Sequence, residues 1–269
     1  MVVGMSFKSM ALRFLPEVVL QRLRRGHYAR KLASAAPEPE MAVLRHLVPA
    51  GGCALDVGAN FGLYTRFLAE AVGPEGVVHA IEPLPPIYDV LRSNVRRLGL
   101  AQVQTHPVAV SDVTRTVTMA VPRYASGGAN FYEARIVRGS AASDARRIEV
   151  PGVRLDDLLG HLPRIDAIKC DVEGHELSVL RGAEALFRRH RPAWLMEVSG
   201  NPDDESSTAA EVVERMRAEG YEMYRFDGRQ VRRREHGTRA VNYFFLRPEH
   251  LGRLPQEMKV TTSGHTVRV

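Results

Sequence analysis

Strands and helices alternate along this chain, which predicts an α/β protein with a Rossmann-like, mostly parallel sheet and helices on both faces. Three observations carry that expectation. The alternation runs from about Glu38 to Arg247. A glycine loop, Asp56-Val-Gly-Ala-Asn-Phe-Gly62, directly follows the first strand-like run. The apolar runs are strand-length, as in Val77-Val-His-Ala-Ile81, and none reaches the roughly 20 residues of a membrane-spanning helix.

Taken in order, Glu40 to Val48 has helical spacing and stops at Pro49-Ala-Gly-Gly. Cys53 to Val57 reads as a buried strand, and Gly62 to Val72 as the helix after it. Val77 to Glu82 is the second strand, and Pro85 to Leu98 is a helix ended by Gly99. Val103 to Val110 reads as one strand region and Thr114 to Val121 as a half-exposed strand, alternating Val117, Met119, Val121. Residues 122–146, with Ala125-Ser-Gly-Gly-Ala129, read as an irregular functional loop. Ile148 to Leu155 and Ile165 to Asp171 read as strands, His175 to His190 as one helix and Ala193 to Val198 as a strand. Ser206 to Glu219 reads as a helix, and Tyr221 to Phe226 and Val241 to Arg247 as the closing strands. This divides the chain into a basic extension (1–36), a main domain (37–247) and a tail (248–269).

Charge is unevenly spread. Residues 1–31 hold Lys8, Arg13, Arg22, Arg24, Arg25, Arg30 and Lys31 against Glu17, which accounts for the whole formal charge of +6. The neutral remainder predicts no nucleic-acid partner. Leu12, Leu15, Val18, Val19 and Leu23 between the arginines suit a short amphipathic helix. Three readings stay open for it: a helix packed on the domain or on a second subunit, a basic helix resting on anionic membrane, and an Arg-rich targeting peptide. Cys53 and Cys170 lie in apolar runs without metal-ligand spacing, so both read as buried reduced thiols of a cytoplasmic, at most membrane-peripheral, protein.

The glycine loop decides the cofactor class. Asp56 ends the first strand at the edge where open α/β sheets bind ligands. Gly58 permits the tight turn, and Gly62 starts the next helix, whose N–H groups face an anion such as a methionine carboxylate. A dinucleotide fingerprint begun at Gly58 needs glycines at 60 and 63, where Asn60 and Leu63 stand. The D-x-G-x-N-x-G pattern suits an amino-acid-bearing nucleoside, S-adenosylmethionine, better than a pyrophosphate. Glu82, 20 residues after Gly62 and followed by Pro83, is placed to accept both ribose hydroxyls. Asp112, in Ala109-Val-Ser-Asp112, is placed either for the adenine amine or as an Asx-turn residue. The expected cofactor-binding set is Asp56, Gly58, Ala59, Asn60, Gly62, Glu82, Pro83, Ala109 and Asp112.

The third motif is Ile168-Lys-Cys-Asp-Val-Glu-Gly-His-Glu-Leu-Ser-Val-Leu-Arg-Gly-Ala183, where a buried strand ends on three closely spaced carboxylates. Such crowding raises proton affinity and is costly unless used. Leu55 to Gly62, Glu82-Pro83, Val108-Ala-Val-Ser-Asp112, Ile168 to Ala183 and Arg191-Pro192 before Met196-Glu197-Val198 together resemble the FkbM-type S-adenosylmethionine-dependent methyltransferases, over roughly residues 40–247. The resemblance implies a class I methyltransferase fold, with a seven-stranded sheet whose last strand is antiparallel. It also implies O-methylation of saccharide or polyketide-like hydroxyls.

On that reading Asp171 and Glu173 line the reaction centre, His175 is the alternative base, and Glu197 binds a substrate hydroxyl. Asp171, Glu173 and Glu197 are also hard oxygen ligands, so a divalent metal stays open and unassigned. The six arginines between Arg225 and Arg239 read as a solvated hairpin tip or as an anionic-substrate site. Two rival functions use the same architecture: an NAD(P)-dependent oxidoreductase and a non-catalytic S-adenosylmethionine-binding protein. The acceptor and the oligomeric state are not written in these motifs.

Overall fold

A computed structural model describes residues 16–124, 129–137 and 145–259. Leu12, Leu15, Lys8 and Arg13 of the basic extension, Ala125 to Gly128 of the central loop, and residues 260–269 of the tail lie outside the described residues.

The main sheet is built outward from a fully buried central strand. Strand β1 (Cys53–Val57) is buried at every residue and pairs in parallel with β2 (Val77–Ile81) and with β8 (Ala167–Cys170). Strand β3 (Val103–His106) extends this side, and β9 (Ala193–Glu197) extends the other. Beyond β9 come β12 (Asn242–Leu246), antiparallel to both its neighbours, then β10 (Glu222–Phe226). The order β10-β12-β9-β8-β1-β2-β3 holds the expected strands, with the last strand of the chain running antiparallel. An eighth short strand, β11 (Val231–Arg233), is added as a hairpin on β10. Burial on both faces explains the mostly apolar sequences of β1, β8 and β9, each broken by one charged residue near its carboxyl end.

Helices cover the two faces. On one, α2 (Pro39–Leu47) and α3 (Leu63–Val72) bury Leu44, Leu47, Phe67 and Leu68 against Ala54 and Leu195. On the other, α5 (Leu155–Leu159), α6 (Glu176–Arg181), α7 (Glu184–His190) and α8 (Thr208–Ala218) enclose Trp194, which stacks on Phe187 with ring centroids 4.8 Å apart. Helix α4 (Pro85–Arg97) lies against β3. Helix α1 (Glu17–Ser34) packs along α4, with Tyr28 and Leu32 buried. Helix α9 (Pro248–Arg253) follows β12, and its Arg253 donates to the Leu47 carbonyl at 3.3 Å.

Three local expectations need correction. The single strand over Val103–Val110 is two: β3 in the main sheet and β4 (Ala109–Val110) in a second sheet. Pro107 stands between them without an N–H to continue the ladder. The single helix over His175–His190 starts at Glu176 and breaks at Gly182-Ala183 into α6 and α7. There the chain presses on the Ser111 carbonyl, where a Cβ at Gly182 would sit 2.1 Å from that oxygen, and the Asp156 carboxylate accepts from the N–H groups of Ala185 and Leu186 instead. The irregular segment 122–146 contains a strand, β6 (Arg135–Val137). It joins β4, β5 (Arg115–Val121) and β7 (Arg146–Val153) in a four-stranded sheet ordered β4-β7-β5-β6, which roofs the carboxyl edge of the main sheet near β1 and β2. Cys53 and Cys170 are free, buried thiols as expected, with their proton affinity raised chiefly by burial.

Candidate active site

At the end of β1 the chain turns through three left-handed residues, Gly58 (φ 81°), Asn60 (φ 49°) and Gly62 (φ 95°). Gly58 is required by contact as well as by φ. A Cβ there would stand 1.8 Å from the Asp171 carbonyl, because the loop after β1 presses on the loop after β8. The latter loop is also tight, with Glu173 (φ 52°) and Gly174 (φ 90°) both left-handed. Buried Glu176 holds this turn, its Oε1 accepting from the Gly174 N–H at 2.9 Å, which is the role the structure gives the acid at the helix start.

Two cavities open on this junction. The first, of about 690 Å³, lies between the carboxyl ends of β1 and β2 and the second sheet. Its walls include Gly58, Asn60, Glu82, Pro83, Ala109, Asp171, Glu173 and His175, with an apolar side formed by Ile81, Leu84, Met119, Phe131 and Ile136. The second, of about 970 Å³, is lined by Lys31, Glu38, Asp56, Ala59, Phe61, Tyr64, Lys169, Glu197 and Asn242. Gly58, Asn60, Tyr132 and Asp171 border both, so the cavities meet there.

The cofactor-binding residues expected from sequence therefore divide. Gly58, Asn60, Glu82, Pro83 and Ala109 converge on the first cavity. Asp56 and Ala59 face the second. Asp56 is buried and accepts from Thr65 Oγ1 at 2.5 Å, and burial lifts its carboxyl to about 6. Gly62 caps α3 and lines neither cavity. Asp112 stands in an adjoining hollow with Ser111 and His175, where the Ser111 hydroxyl donates to it at 3.0 Å. His175 borders both this hollow and the first cavity, its Nε2 lying 3.1 Å from Ser111 Oγ.

Glu82 is 5% exposed. Its Oε2 accepts from the Asn60 N–H at 3.0 Å and its Oε1 from the Leu84 N–H at 2.9 Å. Burial lifts the carboxyl to about 7. Each oxygen keeps a lone pair for a further donor, which vicinal hydroxyls supply. The Asn60 Oδ1 atom is buried without a partner, an acceptor left for a ligand donor. An apolar slot, a two-oxygen acid and an orphan acceptor fit the base, ribose and amino group of S-adenosylmethionine. Replacing Glu82 by Gln is expected to raise the Kd for S-adenosylmethionine by about ten- to a hundredfold in calorimetric titration, since hydrogen bonds to a charged group contribute roughly 1.5–3 kcal/mol.

Three carboxylates gather where the cavities meet. Oxygens of Asp171, Glu173 and Glu197 lie within 4.8 Å of one another, a set able to hold a hard cation. Burial, reinforced by Asp171 and Glu197, lifts the Glu173 carboxyl to about 7. Glu197 is raised for the same reasons, burial first and Asp171 next. Lys169, 3% exposed, stands opposite with its Nζ 3.3 Å from Asp171 Oδ2 and 5.0 Å over the Tyr64 ring. Sequence reasoning passed over Lys169, although a lone lysine inside the otherwise apolar strand Ala167 to Cys170 marks a buried cation. Lys31, Glu38, Tyr64, Tyr132 and Asn242 carried no such signal.

The arginine-rich hairpin takes no part in either cavity. Arg232 pairs with Asp227 at 2.5 Å, Arg233 with Glu222 at 2.8 Å and Arg234 with Asp203 at 2.5 Å. These arginines secure the edge of the sheet.

A parallel sheet of this strand order, with a glycine loop, a strand-end acid on β2 and carboxylates after β8, defines a Rossmann-like fold of the class I methyltransferase type. The model of the methyltransferase FkbM domain matches residues 56–223, and the chain belongs to that family. This sets the oxidoreductase reading aside.

Among curated proteins, the chain is 28% identical over 246 residues to the AMB antimetabolite synthetase AmbE of Pseudomonas aeruginosa, covering 79% of this chain and 11% of that one. It is 29% identical over 162 residues to methyltransferase sdnD of Sordaria araneosa, covering 51% and 62%, and 24% identical over 144 residues to methyltransferase 1 of Beauveria bassiana, covering 48% and 57%. The chain thus spans less than two thirds of each of these relatives.

Among solved structures, methyltransferase FkbM of Methylobacillus flagellatus is 17% identical with a TM-score of 0.46, covering 83% of this chain and 59% of that one. An O-methyltransferase-like protein of Klebsiella pneumoniae is 15% identical with a TM-score of 0.46, covering 88% and 93%.

Proposed function

We propose that the protein transfers a methyl group to a hydroxyl oxygen of a saccharide or natural-product acceptor, held in the second cavity while S-adenosylmethionine occupies the first. The observation that carries this reading is the shared border at Asp171, where a carboxylate faces both cavities. S-adenosylmethionine supplies an electrophilic methyl group. An alcohol is a poor nucleophile until its proton is accepted, and Asp171 is the acid on the border between the two sites. Glu197 and Asn242 lie across the second cavity as acceptors for neighbouring hydroxyls, the Asn242 Oδ1 being buried without a partner. Phe61, Tyr64 and Tyr132 supply apolar faces for the carbon skeleton. A retained acid cluster favours turnover over binding alone.

Ionised Glu173 adds negative charge beside the reaction centre, where the proton leaving the hydroxyl is drawn off. Since Glu173 is held near 7, its charge is lost below that pH and complete above it. The transfer of a labelled methyl group to hydroxyl acceptors is therefore expected to rise through about pH 7 and level off above it. Glu173→Gln removes that inflection while S-adenosylmethionine binding persists. Labelling on nitrogen or carbon acceptors but on no hydroxyl, or an unchanged profile in Glu173→Gln, contradicts the assignment.

A further inference from the structure

Among the described residues no helix is long and apolar enough to cross a membrane, yet one face of the molecule presents the chemistry of a lipid surface. Six large hydrophobic residues are exposed among the described residues, and three of them, Val18 (67%), Val19 (38%) and Leu23 (52%), stand on α1. The opposite face of α1 is committed to the domain. Gln21 donates to the Pro86 carbonyl at 2.8 Å, and Arg25 forms a two-pronged pair with Asp89 at 2.5 Å. Tyr28 stacks on Phe61 with centroids 5.4 Å apart, and Arg97 of α4 donates to the Ala29 carbonyl at 3.2 Å. The helix is anchored along its length, so its apolar outer residues are displayed and are not awaiting burial in this domain.

Exposed cations lie on the same helix and on the helix it packs along. Arg22 and Arg30 on α1, and Arg92, Arg96 and Arg97 on α4, are exposed, and among the described residues none forms a contact ion pair, Arg92 acting on Asp89 only from a distance. The two helices contain just two acids. Glu17 is paired with Arg24 at 3.7 Å and Asp89 is taken by Arg25. The chain outside residues 1–31 is formally neutral, so the net positive charge is carried by the stretch that ends in α1. Ahead of α1 the sequence adds Lys8 and Arg13 among Phe7, Met10, Leu12 and Phe14.

We propose that the α1–α4 face docks the protein on an anionic membrane surface. Arginines meet lipid phosphates while Val18, Val19 and Leu23 enter the headgroup region. The last turn of α1 brings Lys31 to the second cavity, where its Nζ donates to Tyr132 Oη at 2.7 Å. One helix thus runs from the docking face to the cavity wall.

The test is co-sedimentation of the full chain with vesicles of phosphatidylcholine alone and of phosphatidylcholine mixed with phosphatidylglycerol. The chain is expected to pellet with the anionic vesicles only and to be released by high salt. Charge reversal in R22E/R30E is expected to weaken that binding at least about thirtyfold, and V18S/V19S/L23S about tenfold, with S-adenosylmethionine binding unchanged in both. Failure to pellet with anionic vesicles overturns the proposal, as does wild-type binding by the charge-reversed variant. A dimer that both variants convert to monomer, without vesicle binding, assigns the face to a second copy and also overturns it.

Discussion

Gly58→Ala is expected to destroy S-adenosylmethionine binding and to destabilise the fold by about 2–6 kcal/mol, the sum of a left-handed alanine and a forced contact. The added methyl would lie 1.8 Å from the Asp171 carbonyl, and backbone cannot yield as a flexible side chain would. The chain must then open the contact between the loops after β1 and β8, the contact that brings Asn60 and Asp171 to one rim. Calorimetric titration and thermal denaturation read the two effects separately. A variant that melts like the wild type and binds the cofactor normally would show that the loops do not need to touch. Gly62→Ala is a useful comparison, since its φ is also left-handed but its nearest neighbour is the Leu91 side chain at 3.0 Å, which can move. Its loss should be smaller.

Asp171→Asn is expected to lower the methyl-transfer rate by roughly 10²–10⁴-fold, the range for a lost general base, with cofactor affinity retained. Asparagine keeps the shape of the side chain and its place at the junction but accepts no proton. The change also removes the partner of Lys169, a buried ammonium whose Nζ lies 3.3 Å from Asp171 Oδ2. Some loss of thermal stability therefore accompanies the loss of rate, because an unpaired buried charge is costly. Single-turnover kinetics at saturating cofactor separates the two. Full activity in Asp171→Asn moves proton acceptance to another group and refutes the assignment.

Much of the wall of the first cavity was legible because it is written in local spacing. The glycine loop, Glu82-Pro83 and the acids after β8 each follow a buried strand, and strand ends in a parallel sheet share one edge. The same logic misplaced detail where contacts decide. Pro107 split one strand between two sheets, and Gly182 broke a helix because the Ser111 carbonyl needed its space. The second sheet was not foreseen, since β4, β5, β6 and β7 pair across a loop with no periodicity. Asp56 shows what position leaves out at the level of one residue: its carboxylate accepts from the Thr65 hydroxyl and lines the second cavity.

The two cavities also differ in where along the chain their walls arise. The first is built almost wholly between Val57 and His175, inside the stretch that matches the family. The second draws Lys31, Ala35 and Glu38 from before that stretch and Val241 and Asn242 from after it. On the assignment proposed above, the family stretch supplies the donor side and the shared rim, and the two flanks complete the acceptor side. Exchange of the two flanks between relatives is then expected to change the acceptor while S-adenosylmethionine binding persists.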